Sequence, residues 1–266
     1  MASIGFIGSG NMAGALIKGI IDKNVYNFSD VWVSDVDSEK LRSLKNQLGI
    51  NISDGNAPLA ARVDVVVLSV KPQAMNSVLD EIKGSIRKDT IIVSIAAGVR
   101  IARIAGYLGD AAIIRVMPNT PALAGFGAAG IYCNPKAQPA IEKVKRIFNA
   151  VGQSVILDDE SMLDAVTAVS GSGPAYFFLL MEKMIDAAVE LGIDRDVAKK
   201  LVLQTAKGSA ELALMSADSP AELRRKVTSP GGTTEAALKV FADAGIENTL
   251  IAGIKRAHSR SVELSE

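Results

Sequence analysis

Gly8-Ser9-Gly10-Asn11-Met12-Ala13-Gly14 decides the fold. The stretch fits G-x-G-x-x-A. It stands between residues 4–7, a short apolar run that reads as a strand, and residues 12–21, which read as a helix. In a strand–turn–helix unit each small residue has a use. Gly8 permits the tight turn, Gly10 lets the backbone come close to a pyrophosphate, and Ala13 keeps the helix near the strand. The helix start then offers unpaired N–H groups and the positive end of its dipole to phosphate oxygens. A tight turn in an unrelated α/β fold is the plain alternative, and the strand that follows at residues 31–34 argues against it.

Strands and helices alternate outward from this turn as far as residue 160. Residues 63–70 form a largely apolar, β-branched run, as in a strand buried on both faces. Further strands read at 90–95, 112–116, 127–132 and 154–157. Helices read at 39–48, capped by Ser38 and stopped at Gly49, and at 75–86 and 138–150. The alternation predicts an α/β fold with a Rossmann-type, doubly wound parallel sheet. Past residue 160 no strand is legible. Residues 161–169 are helical, Pro174 opens a long helix that ends at Gly192, and Asp194 starts another. Ser219-Pro220-Ala221-Glu222 is a capping box, and 234–244 and 247–264 complete an all-α second half. Two domains are expected: 1–160 for a dinucleotide, 161–266 for substrate and dimerisation. Residues 176–191 are apolar on more than one face, which predicts a homodimer or larger assembly through the second domain.

The 266 residues carry 29 Lys plus Arg against 29 Asp plus Glu. That balance gives no electrostatic reason for a nucleic-acid or membrane partner. The apolar runs are too short to span a bilayer, and the N-terminus enters a strand without a basic leader. The single cysteine, Cys133, leaves no internal disulfide and suits a reducing, cytoplasmic location. With one histidine, His258, a metal site of the usual zinc ligands is not expected.

Asp35 ends the second strand. An acidic group there can bond the ribose 2′-hydroxyl of NAD and repels the 2′-phosphate of NADP. Lys40 and Arg42 lie further on, along the next helix. The charge therefore favours use of NADH, with a solvated turn aspartate as the alternative reading.

Five further segments follow in order: Ser69-Val70-Lys71-Pro72-Gln73, Ser94-Ile95-Ala96-Ala97-Gly98-Val99, Arg115-Val116-Met117-Pro118-Asn119-Thr120-Pro121, Val169-Ser170-Gly171-Ser172-Gly173-Pro174-Ala175-Tyr176 and Ser229-Pro230-Gly231-Gly232-Thr233-Thr234. With the first turn, this ordered set closely resembles the pyrroline-5-carboxylate reductase family, essentially end to end. The resemblance implies a Rossmann domain and a helical dimerisation domain, with the helices of two subunits interlocked, the active site near that interface, and scope for a larger ring of dimers. It implies hydride transfer from NADPH or NADH to the C=N carbon of 1-pyrroline-5-carboxylate, giving L-proline. By the same resemblance Ile7, Gly8, Ser9, Gly10, Asn11, Met12, Asn56, Ser69, Val70, Lys71, Pro72, Ile95, Ala96 and Ala97 line the cofactor, alongside Asp35. The loop Ser229, Gly231, Gly232 and Thr233 would hold the substrate carboxylate through backbone N–H groups, and Thr234 would place a hydroxyl on the ring nitrogen. Glu160 and Lys226 would sit where the substrate approaches. Many family members carry small polar residues or an Asn-Arg pair after the second strand, which suit a 2′-phosphate. Here Asp35-Val36 stands instead and sets NADH against the family's common NADPH.

The residues suit that chemistry. An imine accepts hydride more readily than a ketone, so one hydroxyl or bound water near the nitrogen suffices. Gly231 and Gly232 can expose successive N–H groups as an anion-binding concavity, backed by the next helix's dipole. A capped helix–helix turn is the compatible alternative. Residues 170–174 read as a flexible turn with close helix packing near the site. Lys71 invites a Schiff-base role, but Pro72 fixes an extended turn, so its backbone is expected to face the cofactor. Two other functions remain open from residues alone. A β-hydroxyacid dehydrogenase-like NAD(P) oxidoreductase would use a lysine of the helical half, and Lys183, Lys199, Lys200 and Lys207 are available, though none lies in a matching motif. A dinucleotide-binding regulator would bind without turnover, and the intact 229–234 loop argues against it.

Overall fold

The computed structural model describes residues 3–265; Met1, Ala2 and Glu266, at the outer ends of the two expected domains, lie outside the described residues. From the N-terminus, β1 (Ile4–Ile7) turns into α1 (Asn11–Asp22). Next come β2 (Val31–Ser34), α2 (Ser38–Leu48), a short β3 (Asn51–Ile52), α3 (Asn56–Arg62), β4 (Val65–Leu68) and α4 (Met75–Ile82). They lead to β5 (Ile91–Ser94), α5 (Ile101–Leu108), β6 (Ala112–Met117), β7 (Gly127–Cys133), α6 (Ile141–Asn149) and β8 (Gly152–Ile156). Among the described residues the strands form one sheet, ordered β3-β2-β1-β4-β5-β6-β7-β8.

Every residue of β1 and β4 is buried, as strands covered by helices on both faces require. Alternate side chains feed two cores. Phe6, Val33, Val67 and Ile114 pack with Leu16 and Ile17 of α1 and Phe148 of α6. Ile7, Val66, Ile92 and Ile113 pack with Leu59 of α3, Leu79 of α4 and Ile104 of α5. The sheet is parallel from β3 to β6, and β7 then runs antiparallel to β6, with β8 parallel to β7. So the expected doubly wound sheet is present with its last two strands reversed. The connection from β6 to β7 is too short for a parallel crossover, which takes about a dozen residues or more.

Several boundaries differ from the sequence reading. Asp37, not Ser38, caps α2, its carboxylate accepting from the N–H groups of Glu39 and Lys40. α4 ends at Ile82 rather than near 86, where Gly84 lies in a turn. β3, α3 and α5 were not expected; they are short, at two, seven and eight residues.

The rest is helical: α7 (Met162–Val166), a π turn over Thr167–Gly171, α8 (Gly173–Glu190), α9 (Arg195–Met215), α10 (Pro220–Lys226), α11 (Thr233–Asp243) and α12 (Ile246–Ser265). The chain divides into two compact units. One runs up to Ser172 and takes in the chain again from Ala257; the other is Gly173–Arg256. The structural division thus falls beyond the boundary expected at 160, because α7 packs on β6 and β7. The last turns of α12 belong with the sheet as well. The segment expected to be a flexible turn, 170–174, runs instead from the end of the π turn through Ser172 into the first residues of α8, and Gly171 packs closely on β6, where a Cβ on it would lie 2.8 Å from Met117 Cε. The helical unit buries very little. α8 buries Gly173 alone, α9 buries Ala198 and Val202, and α10 and α11 bury none.

Candidate active site

The sheet topology sets the first half of the site. From β1 the order runs to β2 on one side and to β4 on the other, so a crevice opens where the loops leaving these strands diverge. Ile7 pairs in register with Ser34 and Leu68, and Leu68 with Ser94, so Gly8, Asp35, Ser69 and Ile95 leave the sheet at one edge. Gly8 has φ +100°, and a Cβ there would stand 2.7 Å from the Ser69 carbonyl oxygen. Ser69 Oγ donates to the carbonyls of Ile7 and Gly8 at 2.9 and 2.7 Å, pinning the turn to the neighbouring loop. Gly10 caps α1 with no side-chain hydrogen bond, and a Cβ on it would meet nothing within 4 Å. An uncapped helix start behind open space suits a pyrophosphate, so these residues fit a nicotinamide dinucleotide. Asn11 and Met12 form the first turn of α1. Asn56, at the start of α3, accepts from Ser34 Oγ at 2.8 Å and donates to Glu81 at 2.6 Å. Lys71 is exposed with extended backbone before Pro72, Val70 is half-buried, Ala96 is buried and Ala97 exposed.

Asp35 is more engaged than a solvated turn residue. Its carboxylate accepts from Ser9 N–H at 2.5 Å and Ser9 Oγ at 2.7 Å, and from Asp37 N–H at 2.9 Å. Partial burial pushes its pKa up. The hydrogen bonds from Asp37 and Ser9, with the nearby Lys40 ammonium, outweigh burial and hold it below the usual carboxylate range. A permanent negative charge therefore stands beside the glycine turn and braces Ser9, which is 4% exposed.

The second half of the expected site is the loop before α11. Gly231 has φ +70°. Its N–H, expected to meet a substrate carboxylate, donates to Glu235 Oε2 at 2.7 Å, and the Gly232 N–H donates to the Ser229 carbonyl at 2.9 Å. Glu235 thus stands in for the carboxylate the loop was expected to hold. The open donors in the first turn of α11 belong to Thr233 and Thr234, since Gly232 caps the helix without a side-chain bond. Lys226, at the end of α10, is exposed and paired with Asp218.

Glu160 has a different setting from the one expected. It accepts from Arg115 Nη1 at 2.6 Å and from Ile101 N–H at 2.7 Å, and Arg115 is buried. The carboxylate ties β6 to the first turn of α5 rather than standing free. Lys183, open to an acid/base role in a dehydrogenase, is bracketed by Glu182 and Asp186. Hydrogen bonds to Glu182 first and Asp186 second push its pKa up, which makes it a poor proton donor. His258 is exposed. Cys133 is buried, donates to Gln138, and burial raises its pKa. No helix among the described residues is long and apolar enough to cross a membrane.

Residues 160–264 match the model described as pyrroline-5-carboxylate reductase dimerisation, and residues 3–98 match the NADP oxidoreductase, coenzyme F420-dependent model. The chain is 47% identical over 265 residues to a pyrroline-5-carboxylate reductase of Pseudomonas aeruginosa, covering 99% of this chain and 97% of that protein. The chain belongs to the pyrroline-5-carboxylate reductase family. The Escherichia coli pyrroline-5-carboxylate reductase is 38% identical, over 99% of this chain and 98% of that one. Among solved structures, the pyrroline-5-carboxylate reductase of Coxiella burnetii superposes with a TM-score of 0.93 at 37% identity, covering 100% and 99% of the two chains. That of Plasmodium falciparum, solved with NADP bound, gives 0.89 at 32%, covering 100% and 98%. The dimerisation match begins at residue 160, where the sequence reading set its boundary, although the structural unit begins later.

Two features of this reductase fold escaped the sequence reading. Asn119, buried, donates to the Ser170 carbonyl at 3.0 Å and accepts from Ala128 N–H at 2.8 Å, joining the π turn to β7. Arg115 opens the 115–121 segment without a role legible in that segment alone. A charged residue inside an otherwise apolar strand was the available signal, since such a group is buried only with a partner.

Proposed function

We propose that this chain reduces the C=N bond of 1-pyrroline-5-carboxylate to give L-proline. Ile7–Met12, Asn56, Ser69–Pro72 and Ile95–Ala97 hold the reduced dinucleotide, and residues 229–234 hold the substrate. The observation that carries this reading is a pair of uncapped helix starts in a chain of this family: α1 behind the Gly8–Gly10 turn and α11 behind Gly231-Gly232. The first suits a pyrophosphate and the second a carboxylate. When bound, the reduced nicotinamide supplies the hydride. The chain's own part is to orient the ring and manage the proton on nitrogen. The N–H groups of Thr233 and Thr234 receive the substrate carboxylate, with those of Gly231 and Gly232 joining once Glu235 and Ser229 release them. The Thr234 hydroxyl holds the ring nitrogen. Thr234→Ala is expected to lower kcat about tenfold while dinucleotide binding persists. That is a small effect for an acid group, because the protonated imine already carries the charge. Steady-state kinetics with pyrroline-5-carboxylate, beside a cofactor titration, checks it; unchanged kcat would remove Thr234 from the reaction.

Asp35 sets the cofactor balance in this reading. Asp35→Ser is expected to raise kcat/KM with NADPH relative to NADH about tenfold, by removing a charge that repels the 2′-phosphate. Because the carboxyl pKa is lowered, the charge persists as pH falls through the usual carboxylate range, and the wild-type ratio stays flat down to it. Equal ratios in the two proteins would show that Asp35 does not face the ribose.

The assembly is a homodimer formed by the helical unit, with a ring of dimers as its larger form, in the cytoplasm. Phe177, Phe178, Leu180, Leu201, Leu214 and Met215 are all exposed on α8 and α9, more apolar surface than a lone chain keeps wet. Light scattering should read a mass of at least two chains at micromolar concentration; a stable monomer would refute the dimer.

A further inference from the structure

Asp164 of α7 is 3% exposed, and no step above uses it. Its carboxylate accepts from Ser261 Oγ at 2.7 Å and Ser265 Oγ at 3.2 Å, both at the end of α12, and from Arg100 Nη2 at 3.2 Å. Arg100 closes the loop that begins at Ile95. Within that loop Gly98 has φ +73°, and a Cβ there would stand 2.8 Å from the Leu264 carbonyl oxygen. The last turn of α12 therefore bears on the loop at two points: backbone against backbone at Gly98, and through Asp164 at Arg100. On the far side of Arg100, Glu160 holds the Ile101 N–H, so both ends of the turn into α5 are fixed by carboxylates.

The position of this loop gives the clamp its meaning. Asp35, after β2, marks the adenosine-ribose side of the glycine turn. β5 lies on the opposite side of β1, two strands away, about 10 Å along the sheet edge. A loop there meets the nicotinamide end of the cofactor. Simple stabilisation would not call for a buried carboxylate, since an apolar replacement is often as stable. Its three hydrogen bonds also fix direction, which an apolar contact would not.

We propose that Asp164, held by Ser261 and Ser265 of α12 and by Arg100, is a positioning residue that sets the Ile95–Ala97 loop against the nicotinamide. This rests on the reading that the loop lines the cofactor. In the full-length enzyme, Ser261→Ala/Ser265→Ala is expected to raise KM for NADPH and NADH about fivefold, leaving KM for pyrroline-5-carboxylate unchanged. Ser261→Thr/Ser265→Thr, which keeps both hydroxyls, should restore the cofactor KM. A purely structural role would lower the melting temperature and leave that KM alone, and this result would overturn the proposal. Ala97→Trp, read by cofactor-fluorescence titration, checks the underlying reading separately. Unchanged affinity there would remove the loop from the cofactor site, and the proposal with it. Lost affinity there, with a wild-type cofactor KM in the double alanine variant, would overturn the positioning role alone.

Discussion

A Gly10→Ala protein is expected to melt at the wild-type temperature and yet to bind NADPH and NADH at least about tenfold more weakly, roughly 1.4 kcal/mol or more. The two halves of this expectation come from one geometric observation. A Cβ at Gly10 meets no protein atom within 4 Å, and the backbone there is extended, so the fold has room for a methyl group. The space it fills is the space in front of the uncapped start of α1, where the proposed reading brings a pyrophosphate close to the chain. Gly8→Ala should behave differently, losing stability as well as affinity, because its Cβ would run into the Ser69 carbonyl and its φ of +100° disfavours a side chain. Thermal melts and cofactor-fluorescence titrations of the two variants separate these outcomes. Wild-type affinity in Gly10→Ala would mean that no dinucleotide lies against this turn.

Glu160→Ala should destabilise the chain by about 3 kcal/mol. Removing one member of a buried pair strands the other, and the low end of the usual range applies because the Glu160 side chain is still 21% exposed. Arg115, 6% exposed, would be left charged inside the sheet, and the Ile101 N–H would lose its acceptor. Urea denaturation reads the change. The alternative given by the family resemblance, a Glu160 that approaches substrate, makes the opposite forecast: a raised KM for pyrroline-5-carboxylate with stability intact.

Much of the fold was legible because its signals are local. The turn at Gly8–Gly14 needs only its own residues, and β4 declares itself by having no polar residue to expose. β3, α3 and α5 were not legible. Each is short, and each is held by packing rather than by its own residues: α3 through Leu59 against β1, and α5 through Ile104 in the core it shares with α4 and β6. The reversed pair β7–β8 was hidden for a related reason, since a strand's direction is set by its connection and not by its composition. At the site, the glycine turn and the 229–234 loop could be found as motifs. Glu160, Asp164 and Glu235 could not be assigned, because a carboxylate's role depends on which donor reaches it. Those donors, Arg115, Ser261 and Gly231 among them, lie both near and far along the chain.

The helical unit carries one more consequence. Between Gly173 and Arg256 only Gly173, Ala198 and Val202 of its helices are buried, so this stretch has no core of its own to collapse around. On the proposed dimer, its apolar side chains leave water only when a second chain arrives. Acquiring that part of the structure is then a bimolecular event, whose rate rises with the concentration of newly made chains and slows on dilution. Until the encounter, the helices of this stretch remain open to aggregation.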